Sequence, residues 1–170
     1  STGTNTTVNS LYLRIRAKNS AINGRNSNVA KTGAVMNDLA GQIDTVNTLG
    51  VDYVTILMGA NDACTKTEAA MTPVATFRSQ FQAAMDKLAT GSPNTRVYVL
   101  SIPNVYLLWQ LFKGNSSARF IWNFAGICQS LLANPTSTQQ ADIDRRNRVK
   151  QRVIDFNAQL QQVCALYTQC

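Results

Sequence analysis

The sequence predicts an α/β protein, a parallel sheet with right-handed crossovers and helices packed on its faces. Two apolar runs, Asp52 to Met58 (DYVTILM) and Arg96 to Ile102 (RVYVLSI), have the length and β-branched content of buried strands. Apolar residues at helical spacing precede, separate and follow those runs. The chain has 170 residues, which suits one domain, 1–170, with a helical insertion at about 105–132.

Ser1 to Asn9 is polar and loop-like. Ser10 to Lys18 fits a short helix with Leu11, Leu13 and Ile15 partly buried, and Ile22 to Ser27 returns to loop. Asn28-Val29-Ala30 reads as a short strand entering a helix whose buried face is Val35, Leu39, Ile43 and Val46. Gly50 is a C-terminal stop for that helix. After the first long strand, Thr72 and Pro73 start a second helix, with a hydroxyl cap and proline in the first turn. Its stripe is Val74, Phe77, Phe81, Met85 and Leu88. Gly91-Ser92-Pro93-Asn94 is a turn, and Pro103 stops the next strand. Val105 to Phe112 and Ala118 to Leu132 form two helices or a lid-like hairpin. A final helix from about Ala141 to Tyr167 buries Val149, Val153, Phe156, Leu160, Val163 and Tyr167.

Sixteen Lys and Arg against nine Asp and Glu give a net charge of +7, which favours anionic partners. Charged residues are only 15% of the chain, so a nucleic-acid role is not expected. Arg145, Arg146, Arg148, Lys150 and Arg152 spread around the last helix and read as a solvated face, not a phosphate site. No apolar run reaches the roughly 20 residues that span a bilayer. The even count of four cysteines in a polar chain predicts two disulfides and an oxidising, extracellular compartment. Histidine is absent and no C-x-x-C occurs, so no zinc site and no cofactor are expected. Asn5-Thr6-Thr7 and Asn115-Ser116-Ser117 match the glycosylation pattern, which is short enough to recur by chance.

In a parallel sheet the ligand site lies beyond the carboxyl ends of the strands. Three stretches belong there: Thr32-Gly33-Ala34, Gly59-Ala60-Asn61-Asp62 and Pro103-Asn104. A glycine at a strand-to-helix turn can present its N–H to an anion, and the Asn61 amide can do the same for a developing oxyanion. Asp62 would cap the local turn. Each stretch alone is equally an ordinary turn.

Together they carry a resemblance. Asn28 to Ala34 (NVAKTGA) looks like the second sequence block of the SGNH (GDSL-like) hydrolases, and Val54 to Asp62 (VTILMGAND) looks like their third block, G-x-N-D. The text from Trp109 to Cys170 is similar to secreted, actinobacterial-type members. The resemblance implies a flavodoxin-like three-layer α/β/α fold, present here in its central part. It implies a carboxylic ester hydrolase, an esterase or lipase working through a serine acyl-enzyme. Gly33 and Asn61 would supply oxyanion-hole donors, and Asn104 would lie at the substrate site. It also suggests pairing Cys64 with Cys128, leaving Cys164 with Cys170, with the other pairings still open.

The sequence departs from that pattern in two places. It holds no Gly-Asp-Ser, the block of the nucleophile, and no histidine to act as base. The expectation is that both blocks lie outside these residues and that this chain alone is inactive. A non-catalytic ligand- or carbohydrate-binding module of the same fold is the alternative. The expected partner is an ester substrate (an acyl lipid, an acetylated sugar or a small ester), and the chain is expected to be a monomer. The apolar insertion, with Trp109, Phe112, Phe120, Trp122 and Phe124, could line an acyl pocket or touch lipid; plain packing of two helices is the simpler account.

Overall fold

The computed structural model describes residues 7–170. Ser1 and the Asn5-Thr6 part of the first glycosylation pattern lie outside the described residues. The chain divides into two units, Ser1–Lys31 and Thr32–Cys170.

In the first unit, α1 spans Leu11–Lys18. The Ser10 hydroxyl caps it by accepting the Leu13 N–H at 3.2 Å. Leu13 and Ile15 are half-buried, whereas Leu11 is exposed. The short strand expected at Asn28-Val29-Ala30 is not formed. There the Asn28 side chain accepts the Ala30 N–H at 3.0 Å, a local turn that competes with a ladder.

The second unit opens with α2 (Leu39–Leu49), reached through a 3₁₀ turn at Met36–Asp38. Leu39, Ile43 and Val46 are buried as their spacing predicts, while Val35 sits before the helix and is half-buried. Gly50 closes α2 in the left-handed conformation, φ 58°. Strand β1 (Tyr53–Ile56) follows, then the single turn α3 (Ala60–Ala63). Helix α4 (Val74–Gly91) buries Phe77, Phe81, Ala84, Met85 and Leu88. Strand β2 (Arg96–Val99) pairs in parallel with β1, Tyr53 opposite Arg96 and Ile56 opposite Val99. Helices α5 (Val105–Phe112), α6 (Ser116–Phe124) and α7 (Gln129–Leu132) make up the insertion. The last helix, α8, runs Gln140–Cys164.

Among the described residues the sheet has two strands, so the protein is α/β but mostly helical. Both strands are shorter than their apolar runs, and their burial alternates. Ile56 and Val97 are buried, with Val54 and Val99 half-buried beside them. The opposite row, Tyr53, Thr55, Arg96 and Tyr98, is exposed. The expectation of strands buried on both faces is therefore corrected: within this unit only one face is covered.

Helices α2 and α8 both pack on α4, which makes α4 the centre of the core. The Phe77 and Phe156 rings stack there with centroids 4.0 Å apart. A second apolar cluster of Met71, Trp109, Trp122, Leu131, Leu132 and Val149 seats the insertion on α8. Helix α8 ends earlier than its periodicity suggests. Cys164 is disulfide-bonded to Cys170, and Tyr167 lies in the turn between them. The Tyr167 hydroxyl donates to Asp86 Oδ1 at 2.6 Å, tying that turn back to α4.

Three of the basic residues of α8, Arg145, Arg146 and Arg152, are structural, contrary to the expected solvated face, whereas Arg148 and Lys150 are exposed as expected. Arg145 donates to the carbonyls of Ser130 (2.6 Å) and Ala133 (2.5 Å) at the end of α7. Arg146 is 2% exposed, donates to Ser137 O at 2.8 Å and lies 4.6 Å from the Trp109 ring centre. Arg148 pairs with Glu68, and Arg152 donates to Thr72 O at 2.6 Å. The ends of short α7 and of the loops around it leave carbonyls unpaired, and guanidinium groups of the neighbouring helix satisfy them.

Burial and the adjacent Asp86 carboxylate push the Tyr167 phenol up to about 12. The unfolded chain loses this proton near pH 10. The pair's contribution to stability is thus present below that pH and is lost as pH rises towards about 12. An alkaline absorbance titration should show a late tyrosine step that Tyr167→Phe removes. Ionisation of all five tyrosines together near pH 10 would contradict this.

Candidate functional site

Strand β1 delivers the chain to Gly59, which is buried with φ 109°, a conformation that side chains rarely adopt. A Cβ there would stand 2.5 Å from Ile102 Cδ1 and 2.9 Å from Phe77 Cε2. Glycine is required twice over, by the backbone and by the packing. Beyond this sharp exit, the side chains of Asn61 and Asp62 go to opposite sides. Asn61 is exposed and Asp62 is 1% exposed.

Asp62 faces inward. Its Oδ2 accepts the Met36 N–H at 2.9 Å and its Oδ1 accepts the Thr72 hydroxyl at 2.8 Å. The Thr72 N–H also donates to Asp62 O at 3.0 Å. One carboxylate therefore holds together the entry to α2, the turn after β1 and the approach to α4. Two expectations are corrected here: Asp62 does not cap its own turn, and the Thr72 hydroxyl does not cap α4. Burial pushes the Asp62 carboxyl above its usual range, against the opposing effect of its hydrogen bonds.

Asn61 faces the other way. Its Nδ2 donates to Ala34 O at 2.8 Å, which fixes the amide beside the 32–34 turn. Gly33, at φ 78°, is exposed in that turn. Neither the Gly33 N–H nor the second Asn61 amide N–H has a hydrogen-bond partner among the described residues. The two stretches, far apart in sequence, thus lie side by side at the carboxyl end of β1. They leave two uncommitted donors on exposed residues, an arrangement suited to an oxygen carrying negative charge.

Asn104 does not join them by any hydrogen bond. It caps α5 by accepting the Leu107 N–H at 3.2 Å. A cleft of about 540 Å³ along β2 is lined by Val99, Ser101, Asn157, Gln161 and Tyr167, and includes neither Gly33 nor Asn61. No group of acidic, cysteine or histidine side chains able to hold a metal occurs among the described residues.

The insertion is fastened directly behind Asn61. Cys64 is disulfide-bonded to Cys128 with Cα atoms 4.2 Å apart. The Ser130 hydroxyl donates to Ala63 O at 2.7 Å and accepts the Thr65 N–H at 3.2 Å. No pattern in the sequence signals the Ser130 clamp, the Asp62 bridge, or the Asn157 side chain that bonds both backbone groups of Ile102. Each is a polar residue whose partner is distant along the chain.

An α/β protein with paired amide donors past a parallel strand belongs to the class whose ligands bind at that sheet edge. The chain belongs to the GDSL-like Lipase/Acylhydrolase family, whose sequence model matches residues 4–168. Ester hydrolysis is the general activity of that family. No curated protein and no solved structure gives a significant match to the chain.

Replacing Gly59 by Ala should cost about 2–4 kcal/mol, from backbone strain and overpacking together, read by urea denaturation. A loss under about 0.5 kcal/mol, typical of an indifferent surface site, would refute the packing argument. For Asp62 the folded pKa lies above the unfolded one, so this group's contribution declines as pH rises from about 4. The stability difference between the parent and Asp62→Asn should therefore be larger at acid than at neutral pH. A difference that grows with pH would reverse the assignment.

Proposed function

We propose that this chain is the oxyanion-binding part of a serine ester hydrolase, with the nucleophilic serine and the histidine base carried by residues outside these 170. The observation that supports it most directly is the pair of free donors, the Gly33 N–H and the second amide N–H of Asn61, whose first donates to Ala34 O beside Gly33. During acyl transfer the carbonyl oxygen gains charge as the serine adds. Donors fixed in advance stabilise that charge without reorganising. The serine's own N–H would be the third donor. Asp62 is drawn inward by Met36 and Thr72, so its charge is kept away from the oxyanion.

The finer fold is a flavodoxin-like three-layer sandwich. The exposed row of Tyr53, Thr55, Arg96 and Tyr98 favours it through its two tyrosines, because both faces of a parallel sheet are normally covered. Two disulfides, and no helix among the described residues long and apolar enough to cross a membrane, are compatible with a secreted protein. A monomer is the simplest state. The absence of histidine from the 170 residues favours a second reading, a module that binds an ester or carbohydrate without cleaving it.

The test uses the chain itself and a longer form that carries Gly-Asp-Ser and Asp-x-x-His blocks. The longer form should cleave an aryl ester and be labelled by a fluorophosphonate, and the 170-residue chain should do neither. In the longer form Asn61→Ala should lower kcat by about 10²–10³, the usual loss of one oxyanion donor. Unchanged turnover in that variant would remove Asn61 from the reaction. If no longer form bears the two blocks, the binding module is the better account.

A further inference from the structure

The insertion buries its tryptophans and exposes most of its other large apolar side chains. Trp109 and Trp122 are both buried, and Trp109 Nε1 donates to Pro135 O at 2.8 Å. Phe124 is 84% exposed, Leu111 and Phe120 67% each, and Ile121 and Phe112 are exposed as well. Phe120 and Phe124 stack on each other one turn apart, with centroids separated by 5.7 Å. Plain packing of two helices does not account for this outer face. Apolar exposure of this density marks an interaction surface.

Charge on the hairpin points to the partner. Between Asp86 and Asp142 the sequence holds no acidic residue. The hairpin's own charges, Lys113 and Arg119, flank the turn that joins α5 to α6. Arg119 donates to Lys113 O at 3.0 Å, which keeps its guanidinium at that turn, while the Lys113 ammonium stands 4.5 Å from the Trp109 ring centre. Aromatic and aliphatic side chains beside cations, without acids, match the boundary of an anionic bilayer, where apolar groups enter the acyl region and cations meet the headgroups. A symmetric contact with a second copy would instead bring the same cations face to face.

We propose that the α5–α6 hairpin seats this protein on anionic lipid surfaces and thereby presents esters held in that surface to the Gly33–Asn61 site. The idea rests on the ester-hydrolase reading for its substrate, but the docking itself does not depend on catalysis. The Cys64–Cys128 disulfide and the Ser130 clamp give the link, since they fix the base of the insertion to the segment just after Asn61. A surface held by the hairpin is therefore held at a constant offset from the donors.

The experiment is flotation of the 170-residue chain with phosphatidylcholine vesicles, with and without phosphatidylglycerol. The chain should float with the mixed vesicles and much less with phosphatidylcholine alone. Phe120→Ser with Phe124→Ser should weaken binding at least about tenfold; both residues are exposed, so the fold should survive. Lys113→Gln with Arg119→Gln should cost about 30-fold on the mixed vesicles, near fivefold per charge. Asn61→Ala should float like the parent, because it alters the proposed reaction site and not the docking face. Failure of the parent to float with mixed vesicles overturns the proposal, as does binding unaffected by the phenylalanine changes. A dimer in buffer that those same changes dissolve would assign the face to a second copy and also overturn it. None of these outcomes alters ester cleavage of a soluble substrate by the longer form, so the two readings fail separately.

Discussion

The buried carboxylate of Asp62 is the constraint on which the candidate site depends. An ionised group out of water is costly unless its oxygens are hydrogen-bonded. Here the partners are a backbone N–H from before α2 and a hydroxyl from before α4. Those partners come from different parts of the chain, so satisfying the carboxylate also fixes where three segments meet. Asn61, one residue earlier, is carried to the opposite side and meets Ala34. The outward amide and the inward acid are two consequences of one turn, and the glycine at 59 lets the chain make it.

The insertion is secured by a different principle. Its helices are short, and short helices have many unpaired end carbonyls for the few bonds they make inside. Arg145 and Arg146 supply donors to those carbonyls, Trp109 lies between the Lys113 and Arg146 cations, and the Cys64–Cys128 disulfide closes the base. What reads in sequence as a basic run is consumed largely inside the protein. Arg148 and Lys150 stay exposed, and Lys113 and Arg119 are the charges of the hairpin itself. Firm anchoring on one side lets the other side carry large apolar groups in the open.

The sheet was only partly legible. Its two long apolar runs do become neighbouring parallel strands, in the order expected. Their alternation of exposure was hidden because Tyr, Thr and Leu are acceptable on a covered or an open face. The Asn28-Val29-Ala30 stretch forms no strand for a related reason. A strand exists only where another strand receives its hydrogen bonds, and three residues with an asparagine turn signal do not secure one.

The sequence by itself determined the periodic elements: the buried stripes of α2, α4 and α8, the glycine stop after α2, and the glycine-bearing turn that follows β1. These depend on spacing and backbone allowance, which are local. It also determined the family, whose sequence model matches residues 4–168. Only the tertiary structure decided that Asp62 bridges two distant loops, that the arginines of α8 hold α7, that Asn104 serves as a cap, and that the insertion turns its phenylalanines outward. These outcomes depend on which polar atoms are left unpaired when the helices close on one another. That information belongs to the packed chain, and no residue carries it alone.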